Sequence, residues 1–358
     1  MENGDQKEYN HSVMEDFPVL TTDISSIGRY GAAVLSLTAE QFYGAGYASG
    51  DLVRAEMPGL SLVVPAGTSY TDVDSGQAVL LKIEFEDRML LAVSNENGFA
   101  EKNRLRPGDP VTIRMERKEG YRKEYQLRCL TMGESREDYP SDEAFCNFRP
   151  VRAGKIKENY LYRGFSPINP TENRADQTDR LLSGTGVKTV INLDGEGSAE
   201  RTAYPGYEHR YYASLNIFPV KMNFSVRDPG FADCIRRVAE ILTGEEGPFY
   251  IHCRYGRDRT GLICLILEAL CGAEFHEIVL DYMLSFENIH GLERYSEKWN
   301  CQAEKRVFRC FEDLTGVCPG KDMSGEELKA LMEKSLMETC GFTRGMLDAL
   351  EDKLCTHC

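Results

Sequence analysis

The stretch FYIHCRYGRDRTG (249–261) holds residues whose types and spacing suit chemistry on an anion. An apolar strand is expected to end at His252, a loop to run from Cys253 to Arg259, and Thr260-Gly261 to open an apolar helix. Such a strand-to-helix loop aims successive backbone N–H groups and the positive end of the helix dipole at one point. Cys253 heads the loop, where those groups favour a thiolate. Arg259 closes it with a planar fork that matches two phosphate oxygens at once. In-line attack by Cys253 on phosphorus gives a phosphocysteine and divides one hard displacement into two easier ones. Charge on the transferring group is met by Arg259 and the loop amides, so this chemistry calls for no metal and no cofactor. Thr260 is expected to donate its hydroxyl to the Cys253 sulfur and improve it as a leaving group. Arg254, Tyr255, Gly256 and Arg257 are the substrate-binding positions of the loop, and Arg254 and Arg257 add two cations for the neighbouring phosphates of a polyphosphorylated substrate.

Positioning this loop requires strands and helices on both sides of it in sequence. From Phe148 the pattern alternates between them: strands at Tyr160–Tyr162, Thr189–Leu193, Arg210–Leu215 and Phe249–Cys253, and helices at Thr171–Leu182, Phe231–Leu242 and Gly261–Cys271. Helical segments follow at Phe275–Phe286, Tyr295–Leu314, Gly325–Met337 and Arg344–Leu354. That order predicts an α/β domain over 148–358, a central sheet flanked by helices with a helical C-terminal tail. Before it, short apolar runs alternate with Gly, Asp and Pro turns: Ala32–Leu37, Leu52–Met57, Leu60–Val64, Ala78–Phe85, Met89–Ser94, Val111–Met115 and Tyr121–Leu130. They predict a small mainly-β domain, a barrel or sandwich, over 29–132. Thr38 and Gln41 form a capping-box pair that starts one short helix there. Residues 1–28 read as a tail, and the polar, acidic 133–147 as a linker.

The chain has 358 residues and a formal net charge of −15, which disfavours nucleic acid and anionic membrane as partners. No apolar run is long enough to span a bilayer and no secretory signal is visible, so a cytoplasmic location is expected. Several of the twelve cysteines, such as Cys234, Cys264, Cys271 and Cys310, lie in apolar stretches and read as small buried hydrophobes rather than a disulfide framework. The terminal Cys355-Thr-His-Cys358 has C-x-x-C spacing without a second ligand pair or a βαβ context, and reads as an unliganded, frayed end.

His-Cys-x5-Arg-Thr, with Gly256 inside the loop, resembles the signature of the cysteine-dependent protein tyrosine phosphatase superfamily. FRPVRAGKIKENYLYRG (148–164), GVKTVINLDG (186–195) and IVLDYMLSFEN (278–288) are similar to segments of its bacterial atypical branch, which is related to phytase-like and inositol-lipid phosphatases. The resemblance implies a nucleophile at Cys253, a transition-state clamp at Arg259, a thiol-supporting hydroxyl at Thr260, and His252 tuning the thiolate from behind. It also implies a general-acid aspartate a few tens of residues before the cysteine, but IFPVKMNFSVRDPG (217–230) offers Lys221 near that place and Asp228 as its only acid. Asp228 precedes Pro229 and a helix, as an N-cap would. Asp258, inside the loop, is the other candidate, and the choice stays open here. Arg163 reads as an exposed, ion-paired arginine, with a reach into the active site as the alternative. The implied substrate is a phosphorylated small molecule, a lipid head group or a phosphoprotein, with inositol phosphates preferred. In the first domain, GDLVRAEM (50–57), VPAGTSYTDVDSGQAVLLKI (64–83) and LLAVSNENGFAEKNRLRPGDPVTI (90–113) resemble the C-terminal β-domain of the S-adenosylmethionine hydroxide adenosyltransferases. The turn Ser94–Gly98 then corresponds to the polar segment that contacts adenine in that family.

Overall fold

Alternation of buried and exposed side chains, as in Leu52–Met57, lets a strand bury one face and leave the other to solvent. Seven such strands close on themselves in the first unit. The structure is a computed structural model, and it describes residues 17–28, 30–82, 86–94, 96–169, 173–223, 226, 228–320 and 323–356. Two compact units are present, Met1–Cys129 and Leu130–Cys358.

The first unit is a closed barrel of β1 (Leu20–Ile27), β2 (Ala33–Leu35), β3 (Leu52–Met57), β4 (Leu60–Gly67), β5 (Ala78–Lys82), β6 (Met89–Val93) and β7 (Pro110–Arg117). Their order around it is β1-β2-β6-β5-β4-β3-β7. Ile24, Leu35, Val53, Ala55, Val64, Leu80, Leu91, Val111 and Ile113 fill the interior. The Thr38 capping box is present, with Thr38 Oγ1 accepting from Gln41 N–H and Gln41 Oε1 from Thr38 N–H, each at 3.0 Å. Two expectations are corrected. The tail reading fails from residue 20 onward, because β1 pairs with both β2 and β7 and completes the closure. Tyr121–Leu130 contains a helix, Arg122–Arg128, in place of a strand. Its sequence RKEYQLR is made mostly of strong helix formers, and with none of its residues buried, packing does not override that propensity.

The second unit holds a five-stranded sheet in the order β11-β10-β12-β9-β8. Its strands are β8 (Arg149–Pro150), β9 (Leu161–Gly164), β10 (Thr189–Asn192), β11 (Asn216–Pro219) and β12 (Phe249–His252). All are parallel except β8, which runs antiparallel along the edge. The third strand starts later than expected. Asp179 takes the N–H groups of Tyr211 (2.9 Å) and Tyr212 (2.8 Å), which draws Tyr211–Ser214 into a 3-10 turn before β11 begins. Helices Phe231–Gly244, Asp258–Leu270 and Phe275–His290 contribute the main core with the sheet. The predicted helix at Tyr295–Leu314 appears as Glu297–Ala303 and Arg309–Thr315 joined by a π-helical turn.

The expected linker belongs to this unit. Ser141 caps a helical turn at Asp142–Phe145, and Phe145 and Cys146 are buried with Phe148, Tyr162 and Tyr250. Cys355 is buried rather than frayed, and its backbone forms a β-bridge with Ile156. Cys358 lies outside the described residues. Among the described residues no helix is long and apolar enough to cross a membrane.

Candidate active site

Strand β12 runs between β10 and β9, with His252 level with Asn192 and Gly164. Its four residues are all buried, as a strand covered on both faces requires. The chain therefore leaves the sheet at its carboxyl edge, where open α/β sheets place their sites. There Leu193 N–H donates to the His252 carbonyl at 2.8 Å and Ser166 N–H to the Arg254 carbonyl at 3.1 Å. Cys253, the first residue beyond the strand, is 3% exposed. Gly256 is dictated twice over: its φ is +62°, and a Cβ there would stand 2.1 Å from the Gly164 carbonyl oxygen.

The helix Asp258–Leu270 begins inside the loop and carries Arg259 on its first turn. Arg259 donates through Nη1 to the Leu193 carbonyl (3.0 Å) and through Nη2 to Asp194 Oδ1 (2.5 Å). Burial opposes charge on this guanidinium, but Cys253 and Asp194 face it and hold it charged. The loop thus has a cysteine at its head and a cation at its tail.

His252 is fully buried behind the loop. Its Nε2 lies 3.0 Å from the Tyr212 hydroxyl, and its Nδ1 lies 3.4 Å from the Cys253 carbonyl. Burial first, then the cations Arg259 and Arg201, push its pKa down to about 4, so the ring is neutral near pH 7. Among the described residues, the buried hydroxyl of Thr260 has no hydrogen-bond partner.

Both aspartate candidates are held toward the ionised form. Asp258 accepts from Arg257 Nε (3.1 Å) and Nη2 (2.8 Å), and Arg306 lies 3.5 Å from its other oxygen. Burial would raise its pKa, yet Arg257 and Arg306 outweigh that and hold the carboxyl well below the usual carboxylate range. Asp228 accepts from Asn223 (2.8 Å) and from Gly230 N–H (2.8 Å), bonds that also lower its pKa, and so prepares the start of helix Phe231–Gly244. Phe224, Ser225 and Arg227 of the same stretch lie outside the described residues.

Arg257 does not offer its charge to the floor of the site. It pairs with Asp258, contacts His290 Nε2, and lies over the Phe286 ring at 5.1 Å. Arg254 is half-buried and lies over Tyr255 at 5.2 Å, and Tyr255 packs edge-on against Phe165. Lys221 has an exposed side chain, and its backbone is pressed against Gly195, where a Cβ would stand 2.6 Å from Lys221 Cα.

Sequence reasoning missed the residues around this loop. Asp194 was detectable as a carboxylate just past a buried strand end. Arg163 is ion-paired as expected, to Asp281 at 2.5 Å, but it is 0% exposed and bonded to the Gly256 carbonyl of the loop at 3.0 Å. Arg149 shares Asp281 at 2.9 Å and Ser285 at 3.0 Å, and donates to Asn147 Oδ1 at 2.7 Å. Burial, and then Asp281, drive Glu268 well above the usual carboxylate range, while Arg149 and Arg163 overcome burial to keep Asp281 ionised. The two carboxyls are thereby pushed in opposite directions, Glu268 toward its protonated form and Asp281 toward its ionised form.

The four parallel strands of this α/β unit thus deliver a buried cysteine into an arginine-closed loop at their carboxyl edge. Residues 145–356 match the model of the tyrosine phosphatase family, and the chain belongs to that family. Among solved structures it is similar to the core catalytic domain of the PP-IP phosphatase SIW14 from S. cerevisiae, at 20% identity over 45% of this chain and 85% of that one, with a TM-score of 0.29. It is also similar to P. aeruginosa TpbA in complex with pTyr, at 18% identity over 51% and 97%, TM-score 0.27. A further match, an uncharacterized conserved protein from Thermotoga maritima, has 16% identity over 28% of this chain and a TM-score of 0.25, and the match spans only 37% of that protein's length. Comparison with curated proteins gives no significant match.

Proposed function

We propose that the chain hydrolyses phosphate monoesters through a phosphocysteine intermediate on Cys253. The observation that carries this reading is Cys253 itself, buried at the end of the central strand and heading a loop closed by Arg259. In this reading the thiolate sulfur attacks phosphorus, the S–P bond forms, and the ester P–O bond breaks as the leaving oxygen takes a proton from water. Water then attacks phosphorus, the P–S bond breaks, and inorganic phosphate leaves with the thiolate restored. Arg259 and the loop amides meet the charge of both transition states. Asp194 orients the Arg259 fork until phosphate oxygens replace it. Asp258, ionised between Arg257 and Arg306, serves the shape of the loop rather than proton delivery, and Asp228 serves a helix start.

The proposed substrates are inositol phosphates or phosphoinositide head groups, supported by Arg254 in the loop and the exposed Lys221. Arg257 is paired with Asp258, which narrows the expected preference over phosphotyrosine. The test is kcat/KM for an inositol polyphosphate and a phosphotyrosine peptide in wild type, Cys253→Ser and Arg254→Ala. Turnover is expected to vanish in Cys253→Ser and to survive a chelator, and Arg254→Ala should lower kcat/KM for the inositol substrate more than for the peptide. Full activity in Cys253→Ser would overturn the mechanism; equal losses in Arg254→Ala would overturn the substrate class.

A further inference from the structure

Four consecutive carbonyls of the loop are tied down by groups outside it. Ser166 N–H takes the Arg254 carbonyl at 3.1 Å. Asn147 Nδ2 takes those of Tyr255 and Gly256, both at 3.2 Å. Arg163 Nη2 takes those of Gly256 at 3.0 Å and Arg257 at 3.3 Å. A trans peptide is planar, and its C=O and the next residue's N–H point in opposite directions. Fixing the carbonyls of residues 254–257 therefore turns the N–H groups of Tyr255, Gly256, Arg257 and Asp258 away from these anchors. Four amides directed in this way form the kind of concavity that binds an oxyanion.

The anchors are themselves held rigidly. Asp281 fixes Arg163 at 2.5 Å, and Ser285 lies 3.3 Å from the same guanidinium. Asn147 is 0% exposed, adopts φ +47°, and is gripped by Arg149 and by Asn288 at 3.3 Å. None of these contacts requires an exposed or mobile group.

We propose that Arg163 and Asn147 are positioning residues for the phosphate loop, acting through its carbonyls and touching no substrate. The proposal rests on the phosphatase reading for the identity of the anion. Lysine at 163 keeps the charge beside Asp281 but has no fork to span two carbonyls as well. Aspartate at 147 keeps the acceptor for Arg149 and suits the left-handed φ, but it replaces the amide donor with an oxygen that repels the two carbonyls.

The experiment uses the full chain as wild type, Arg163→Lys and Asn147→Asp. It measures equilibrium binding of inorganic phosphate and orthovanadate, kcat and KM for a small aryl phosphate, and Tm. Loss of a charge-assisted hydrogen bond corresponds to a fold-change of about ten or more, so anion affinity and kcat/KM are expected to fall together by that factor in protein that remains folded. A merely structural role would lower Tm and leave the anion affinity of the folded protein untouched; that result overturns the positioning role. Where Arg163→Lys fails to fold, Asn147→Asp decides by the same criterion. Wild-type protein that neither binds these anions nor turns over the aryl phosphate would instead overturn the functional reading, and this proposal with it.

Discussion

Buried carboxylates in the two units are satisfied by different partners. In the barrel, Asp72 accepts from the N–H groups of Thr68 (2.6 Å) and Ser69 (2.9 Å), within its own turn. Asp51 accepts from Ala48 N–H at 2.7 Å and Glu119 N–H at 2.8 Å, with a single lysine, Lys118, at 3.0 Å beside them. In the phosphatase-family unit, Asp281 faces two guanidinium groups 118 and 132 residues earlier in the chain. A carboxylate that holds main-chain N–H groups shapes a turn. One that holds arginines which in turn hold a loop shapes a site. Barrel closure leaves no sheet edge to build on, whereas the open parallel sheet gathers unpaired ends at one edge.

The comparison is tested most strongly at the clamp. Arg259→Lys should lower kcat/KM by about a hundredfold or more, since a point charge replaces a two-pronged donor beside the transferring phosphate. Tm should change little, because the side chain remains a quarter exposed and its contacts are to one carbonyl and one carboxylate. Activity within a few-fold of wild type would remove Arg259 from the chemistry.

A second test addresses the buried charges. Breaking a buried ion pair typically costs about 3–5 kcal/mol. Asp281→Asn should cost less than this, because Glu268 can release its proton and become the anion facing Arg163 and Arg149. Glu268→Gln alone should cost little. The double variant, by urea unfolding, should lose clearly more than the sum of the two. Strict additivity would show that the two carboxyls do not share one charge. Asp72→Ala in the barrel should lower stability by roughly 1–3 kcal/mol for the unpaired N–H groups and leave kcat/KM unchanged.

The pH dependence of stability follows from the buried imidazoles. His252 is pushed down to about 4 and His290 to about 3, in both cases by burial first. The unfolded chain binds these protons near 6.5, so the stabilisation is complete above that pH and is lost as pH falls toward the folded values. Unfolding free energy should thus decline between pH 6.5 and 5, before most carboxylates titrate, with His252 contributing on the order of 3 kcal/mol by pH 4. His252→Gln should flatten that slope; an unchanged slope would mean that His252 is not the group being protonated. The smallest effect is expected at Asp228→Ala, about 1 kcal/mol for a lost helix-start bond. The basic limb of its pH–rate profile should stay where it is, and a lost limb would return Asp228 to the chemistry.

Much of the fold was written locally. Alternation in Leu52–Met57, the Thr38–Gln41 cap, and the apolar run Phe249–His252 between turn residues each dictate an element from neighbours a few positions away. The errors share one cause. Leu20–Ile27 becomes a strand because closing the barrel requires it between β2 and β7, and Arg210–Leu215 yields a turn because Asp179, some thirty residues earlier, captures two of its amides. Within the site, the order Cys253, Gly256, Arg259 determined by itself that a strand-to-helix loop would carry a cysteine and an arginine, since backbone geometry over seven residues is a local matter. Which charges face that loop was decided only in three dimensions. Arg257 and Asp258 look like substrate and proton groups in the sequence, but they neutralise each other once Arg306 and Phe286 pack beside them. Arg163 looks exposed until β9 lies against β12 and the helix Phe275–His290 brings Asp281 to it. Long-range burial sets the dielectric and the partners of a charge, and those determine whether an arginine binds substrate, balances an aspartate or holds a loop in shape.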